Sequence, residues 1–335
     1  MKYPRANNYL VYKKIDNDRC RISDYSGAEV SVMEVDMETA RFLRRLDGKI
    51  SPGKCLPGAS KAEIREKLRV LKRNGLLRTK KTVTFKGLGS MEVTLWIPGA
   101  RFQRSVFPKI WNWILLFSWL PLLCMGIFLF MKGMDGYLEK VVNAELQVVA
   151  GIAVGLLAGM LFHELSHGAA SMSYGVKVFE FGIFFNLFMP GAYAALYEQM
   201  SKNRWHRIQI LGAGIESNFW LAGFCLMIGK LFPAAGLFFM MGAMVNVLLG
   251  LSNLCLWTLS GGTALDGMLI FSEILGVQEI FKEAWEAVFS SRKRRKIRTS
   301  MGMSGYALIF VYRAVVAFQI LFPVSMIANI MVFAV

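Results

Sequence analysis

The chain has 335 residues, 55% of them hydrophobic and only 19% charged, with 39 Lys and Arg against 23 Asp and Glu and a formal charge of +16. This balance excludes a single soluble domain, a disordered chain and a fibrous repeat. The charge is uneven: residues 1–109 carry +13, whereas residues 110–335, twice as long, carry only +3 and almost every long apolar run. The pattern predicts a basic polar head on a polytopic membrane body.

The head comes first. Tyr9–Lys14, Arg19–Ser23 and Glu29–Met33 alternate like strands, broken by Asn17-Asp18 and Ser26-Gly27. Glu38–Leu46 reads as a helix ending at Asp47-Gly48, and Ser51–Gly58 as a loop. Ser60 with Glu63 three residues on has capping-box spacing and opens a helix over Lys61–Asn74 that stops at Gly75. Ile64, Leu68, Leu71 and Leu76 lie close to helical spacing. Thr82–Phe85 and Met91–Trp96 flank Gly87-Leu88-Gly89 as a second hairpin. No long apolar run occurs before residue 109, so no cleavable signal peptide is expected and the head should stay in the cytoplasm.

A small sheet, a helix, and a second helix ending in Leu71-Lys72-Arg73-Asn74-Gly75-Leu76-Leu77 resemble the winged-helix RiPP recognition element, best known from pyrroloquinoline-quinone biosynthesis. The resemblance implies that the head binds the leader of a ribosomally made peptide by strand addition. The bound strand would then lie near Glu29, Val30, Ser31, Val32 and Met33 and on the Lys61–Asn74 helix, where Arg65, Leu68 and Lys72 are the candidate contacts. A DNA-binding winged helix and a purely structural cap are the alternatives.

The body shows five candidate spans: Ile110–Met131, Leu146–Met172, Ile208–Ile228, Phe232–Leu256 and Val315–Val335. Each is near the roughly 20 residues that cross a hydrocarbon core. Basic clusters precede span one (Arg101, Arg104, Lys109) and span three (Lys202, Arg204, Arg207), and a third, Arg292–Arg298, lies between spans four and five. Five spans with the N-terminus inside and the C-terminus outside place all three clusters in the cytoplasm. The 292–298 run has no aromatic interleaving and no nucleic-acid module, so it reads as a juxtamembrane anchor beside anionic lipid and not as a nucleic-acid interface. The five cysteines, at 20, 55, 124, 225 and 255, include no Cys-x-x-Cys pair and give no disulfide framework.

Between spans two and three, Val176–Tyr197 is apolar but rich in β-branched and aromatic residues, with a turn at Pro190-Gly191. It reads as a membrane-embedded β-hairpin whose backbone groups must be covered by protein or water, or else as a short extra helix.

Span two contains His163-Glu164-Leu165-Ser166-His167. Residues i and i+4 share a helix face, so both imidazoles can bind one ion, with Glu164 in reach as a general base for water. An ionisable trio inside a span is expensive unless it is used, and the chain holds only three histidines. Gly151, Gly155 and Gly159 continue the same face, which suits close packing against another span or, alternatively, room for an extended substrate. A third ligand is needed, and the acidic candidates are Glu180, Glu198, Glu216 and Asp266. Asp266 is the best placed, in Leu265-Asp266-Gly267 just after span four. His206, in a basic interfacial loop, is a weaker candidate.

H-E-x-x-H in one span and L-D-G two spans later resemble the signature of the site-2 protease family of intramembrane zinc metallopeptidases, over about residues 145–275. The resemblance implies that His163, His167 and Asp266 bind Zn2+ and that Glu164 activates water. The embedded hairpin fits that pattern. So does Ala213-Gly214-Ile215-Glu216-Ser217-Asn218, similar to a Gly-rich turn with an Asn, which makes Asn218 a candidate substrate-positioning residue. Asn253 is another, although it stands 13 residues before Asp266 with no intervening proline, which departs from the family pattern.

The expected organisation is therefore a winged-helix-like peptide-recognition domain at 1–98, a basic linker at 99–109 and a membrane metallopeptidase domain at 110–335. The fold class is a polytopic α-helical membrane protein with a small N-terminal α+β domain, set in a bacterial-type cytoplasmic membrane. The expected activity is endoproteolysis of a ribosomally made precursor peptide near the cytoplasmic side. Regulated cleavage of a membrane-anchored regulator and non-catalytic peptide binding are the alternatives. The expected partners are the peptide substrate and the lipid bilayer, with no nucleic acid.

Overall fold

The structure, a computed structural model, describes residues 3–25, 30–48, 50–78, 83–85, 90–132, 145–186, 189–197, 203–254, 265–276, 280–303 and 305–317. Glu29, Glu198, Lys202, the turns at 26–27 and 87–89, and the glycine-rich stretch before Leu265 lie outside the described residues, as do residues 318–335 of the fifth expected span. The chain divides into two compact units: Met1–Pro98 with Phe179–Gly191, and Gly99–Val178 with Ala192–Val335.

In the first unit, β1 (Leu10–Lys14), β2 (Arg19–Asp24) and β3 (Ser31–Asp36) form an antiparallel sheet in that order, with Leu10 opposite Asp24 and Arg19 opposite Asp36. Along β2, Cys20 and Ile22 are buried while Arg19 and Arg21 are exposed, so one face of the sheet meets the helices. These are α1 (Met37–Arg45), α2 (Pro52–Cys55) and α3 (Lys61–Arg73). Asp36 caps α1 by accepting from the Thr39 N–H at 2.6 Å. The expected capping box opens α3: Ser60 Oγ accepts from Glu63 N–H at 3.2 Å, and Glu63 Oε2 accepts from Ser60 N–H at 2.7 Å. Leu10, Ile22, Phe42, Leu43, Leu46, Leu71 and Leu76 make the core between sheet and helices.

The second expected hairpin forms as β4 (Val83–Phe85) and β5 (Ser90–Trp96). Val176–Tyr197 also supplies a pair of strands, β6 (Val178–Asn186) and β7 (Met189–Leu196), rather than an extra helix. β5 and β6 pair antiparallel, with Thr94 opposite Gly182, and the sheet order is β4-β5-β6-β7. On one side the backbone groups of β6 are thus met by the β4–β5 hairpin, a pairing too distant in sequence for local pattern to reveal.

The second unit is helical: α4 (Ala100–Gln103), α5 (Phe107–Met131), α6 (Glu145–Ser173), α7 (Arg204–Leu231), α8 (Gly236–Leu254), α9 (Asp266–Leu275), α10 (Ile280–Phe289), α11 (Ser291–Met301) and α12 (Gly305–Ala317). The stretch expected as a linker at 99–109 is thus largely helical, since α4 occupies part of it and α5 begins at Phe107. Four helices, α5, α6, α7 and the Pro233–Leu254 segment containing α8, are long and apolar enough to cross a membrane, and they coincide with the first four expected spans. The chain is a multi-pass membrane protein.

Glycines let these helices approach. A Cβ at Gly155 would lie 2.6 Å from Gly242 Cα on α8, and one at Gly126 on α5 would lie 2.8 Å from Gly223 O on α7. Asn246, fully buried on α8, ties the first contact by donating from Nδ2 to Gly155 O (3.1 Å) and to Gly242 O (2.8 Å). The glycine stripe of α6 is therefore occupied by packing against α8. α9 packs on α7, and its Met268 is buried with Ala284, Ala287, Tyr312, Val315 and Val316 from α10 and α12.

Candidate metal centre

His163 and His167 stand one turn apart on α6 and are both buried. Their Nε2 atoms are 3.0 Å apart. Asp266, the first residue of α9, brings Oδ2 to 2.8 Å from His163 Nε2 and 3.2 Å from His167 Nε2. Among the described residues these three form the one group of His, Cys, Asp or Glu side chains able to hold a metal ion.

The donor set fits a zinc ion on its chemistry. His167 Nδ1 lies 2.7 Å from the Ile210 carbonyl on α7, which can only accept, so that nitrogen carries the proton. The Nε2 lone pair then faces His163 Nε2 and Asp266 Oδ2. Three electron-rich atoms converging at 2.8–3.2 Å are unfavourable unless a cation or proton lies among them. Tetrahedral zinc, with ligand bonds of about 2.0–2.1 Å, spaces its donors about 3.3 Å apart. The neighbouring backbone also leaves the donors clear. A Cβ at Gly214 would lie 2.5 Å from His167 Nε2 and 2.7 Å from His163 Nε2.

Glu164 adjoins the first histidine, and its Oε2 accepts from the Ala194 N–H of β7 at 2.8 Å. This fixes the carboxylate and leaves Oε1 for chemistry.

Residues 151–238 match the model of Peptidase family M50. Peptidases of that family are metalloproteases. The M50 segment contains His163, Glu164, His167 and Gly214; Asp266 lies beyond its end, so its place beside the histidines rests on geometry alone. No curated protein and no solved structure matches the chain.

The other candidates stand elsewhere. Glu180, on β6, is bonded to Tyr9 and Asn8 of the first unit. Glu216 points back over Gly212 on its own helix. His206 stacks on Tyr174 with ring centroids 4.2 Å apart and is not in the metal group. Asn253 donates to Leu249 O of its own helix at 3.0 Å. Asn218 is buried on α7 one turn beyond Gly214, with no hydrogen-bond partner for Oδ1 among the described residues. The stretch from Ala213 to Asn218, expected as a Gly-rich turn, is helical. Its glycine serves closeness to the histidines and not a bend.

In the head, Val30, Ser31, Val32, Arg65 and Lys72 are exposed, whereas Met33 and Leu68 pack on the head's own core. Three contacts escaped the sequence: the Ile210 carbonyl on His167, the Ala194 N–H on Glu164, and the pairing of Arg207 on α7 with Glu273 on α9. Backbone partners leave no signal in residue identity. The last pair was present only as charges at the edges of apolar runs.

Proposed function

We propose that the chain is an intramembrane zinc endopeptidase that cleaves a ribosomally made precursor peptide near the cytoplasmic face of a bacterial-type cytoplasmic membrane. The observation that carries the proteolytic reading is the convergence of Asp266 Oδ2 from α9 on His163 Nε2 and His167 Nε2, which stand with Glu164 on the membrane helix α6. The three donors would hold the ion. When bound, zinc supplies a Lewis acid for the scissile carbonyl and eases ionisation of water at neutral pH. Glu164 takes a proton from the attacking water at Oε1 and later delivers it to the leaving amine. The Ala194 N–H keeps Oε2 in place meanwhile. The Ile210 carbonyl holds the His167 tautomer that presents its Nε2 lone pair.

The cytoplasmic placement is supported by the basic residues Arg101, Arg104 and Lys109 before α5, Arg204 and Arg207 opening α7, and the Arg292–Arg298 run of α11. On this reading the C-terminus lies outside. The peptide substrate is supported by the head. β3 is an edge strand of the β1-β2-β3 sheet, with Val32 57% exposed, and strand addition there would set a peptide beside α3. Val30, Ser31 and Val32 would line it, with Arg65 and Lys72 offering charge to an acidic leader.

The test is a trap. The Glu164→Gln protein is expressed in its native host and purified in detergent, and co-purifying peptides are identified by mass spectrometry and offered to wild type. A short soluble peptide, cut by wild type and protected by a chelator, is the expected result. A trapped transmembrane protein would replace precursor maturation with regulated proteolysis. Cleavage by the Glu164→Gln protein would sink the mechanism.

A further inference from the structure

We infer that the Arg207–Glu273 ion pair is a positioning device for Asp266, a reading that rests on the metal site proposed above. Asp266 opens α9, a helix of only ten residues, and must reach across to two histidines on α6. Glu273 lies seven residues on, two turns along the same face. Arg207 grips it with a fork: Nε donates to Oε1 and Nη2 to Oε2, both at 2.8 Å. Arg204 adds a bond from Nη2 to the Ile274 carbonyl. A planar guanidinium on a carboxylate fixes direction as well as distance.

The clamp comes from the segment of α7 that also orients the second histidine. Arg207 and Ile210 are three residues apart, and the Ile210 carbonyl receives the His167 Nδ1–H. One turn of α7 therefore sets two of the three donors, His167 directly and Asp266 through α9. At the near end of α9, Met268 is buried against α10 and α12. A Cβ at Gly267 would lie 2.4 Å from Leu254 O, so backbone contact holds that end close to α8. Phe271 and Leu275 pack on the same cluster, so apolar contact seats the helix along its length, and the polar grip that sets its roll comes from Arg207 and Arg204. Releasing Glu273 lets α9 roll on its apolar seat, which swings the Asp266 carboxylate off its line to the histidines. Metal sites respond to displacements of a few tenths of an ångström.

The test uses full-length protein in detergent, stripped with a chelator and titrated with zinc alone against a competing chelator. Groups bonded directly to ligands typically change metal affinity roughly 10–100-fold, so Glu273→Gln and Arg207→Gln, one step more remote, should each weaken binding about 3–30-fold. The double variant should lose little more than either single one, because the two residues act as a unit. Arg207→Lys, which keeps the charge but not the fork, guards against misfolding and should weaken binding measurably. Arg19→Gln, which removes the Arg19–Asp16 pair of the head, should leave zinc affinity unchanged. At saturating zinc, turnover should return in the positioning variants, unlike in Glu164→Gln. Wild-type zinc affinity in Glu273→Gln, Arg207→Gln or Arg207→Lys overturns the positioning role and leaves the metal site standing. If His163→Ala binds zinc as tightly as wild type, the metal site itself falls and the positioning role falls with it.

Discussion

Gly214 on α7 stands so close to His167 on α6 that a methyl group at that position would lie 2.5 Å from Nε2, well inside van der Waals contact. The partner is a ring pinned by the Ile210 carbonyl and packed against His163, not the free end of a flexible chain. Gly214→Ala should therefore displace the imidazoles and lower zinc affinity at least about tenfold, as loss of a ligand-orienting contact does. The helices should still assemble, because Ala favours a helix over Gly by about 1 kcal/mol. Chelator competition on the purified protein measures the first effect and far-UV circular dichroism the second. Unchanged zinc affinity in Gly214→Ala would show that the donors do not use the face Gly214 leaves open.

The parts of this arrangement that could be read from sequence are those written in local periodicity. His163 and His167 share a helix face by spacing, four spans follow from apolar runs, and Ser60 with Glu63 announces the start of α3. The parts that could not be read depend on tertiary closeness. Gly214 carries the same local signal in a turn as in a helix, and only the approach of α6 explains it. Glu180 looks like a ligand because it is an acid in an apolar stretch. Its partners, Asn8, Tyr9, Arg78 and Thr94, come from segments far away in the chain. Asp266 lies between these cases: its L-D-G context singled it out, but its distance to the histidines needed the fold.

Glu180 gives the second prediction. Its carboxylate accepts from Asn8 Nδ2 at 3.0 Å and from Tyr9 Oη at 2.9 Å, and lies 3.6 Å from the Arg78 guanidinium. The Arg78 side chain is only 14% exposed. Arg78 keeps its bonds to Asn8 Oδ1 and Thr94 Oγ1, but removing the carboxylate takes the facing anion from a largely buried cation, which costs up to roughly 3–5 kcal/mol. Glu180→Ala should therefore loosen the first unit, seen as faster amide exchange in β1, β5 and β6. The metal site should be spared, since Glu180 is not among the three donors. Wild-type exchange rates in those strands would show that the network adds little to the head.

The third prediction concerns the start of α3. Ser60 and Glu63 satisfy each other's backbone N–H groups. Ser60→Ala removes one of these bonds and should cost about 1 kcal/mol, the usual value of an N-cap hydroxyl. The bond from the Ser60 backbone N–H holds Glu63 below the ordinary carboxylate range. A carboxyl whose folded pKa is depressed binds its proton more readily when unfolded, so its stabilising contribution is complete above the unfolded value near 4.5 and fades as pH falls through the lower folded value. Wild type should therefore lose stability of the α3 N-terminus on acidification below about pH 4.5, whereas Glu63→Gln, which cannot titrate, should be flatter over that window. Thermal unfolding of both proteins from pH 6 to pH 3 makes the comparison. Parallel pH profiles would remove Glu63 ionisation from the account of the cap.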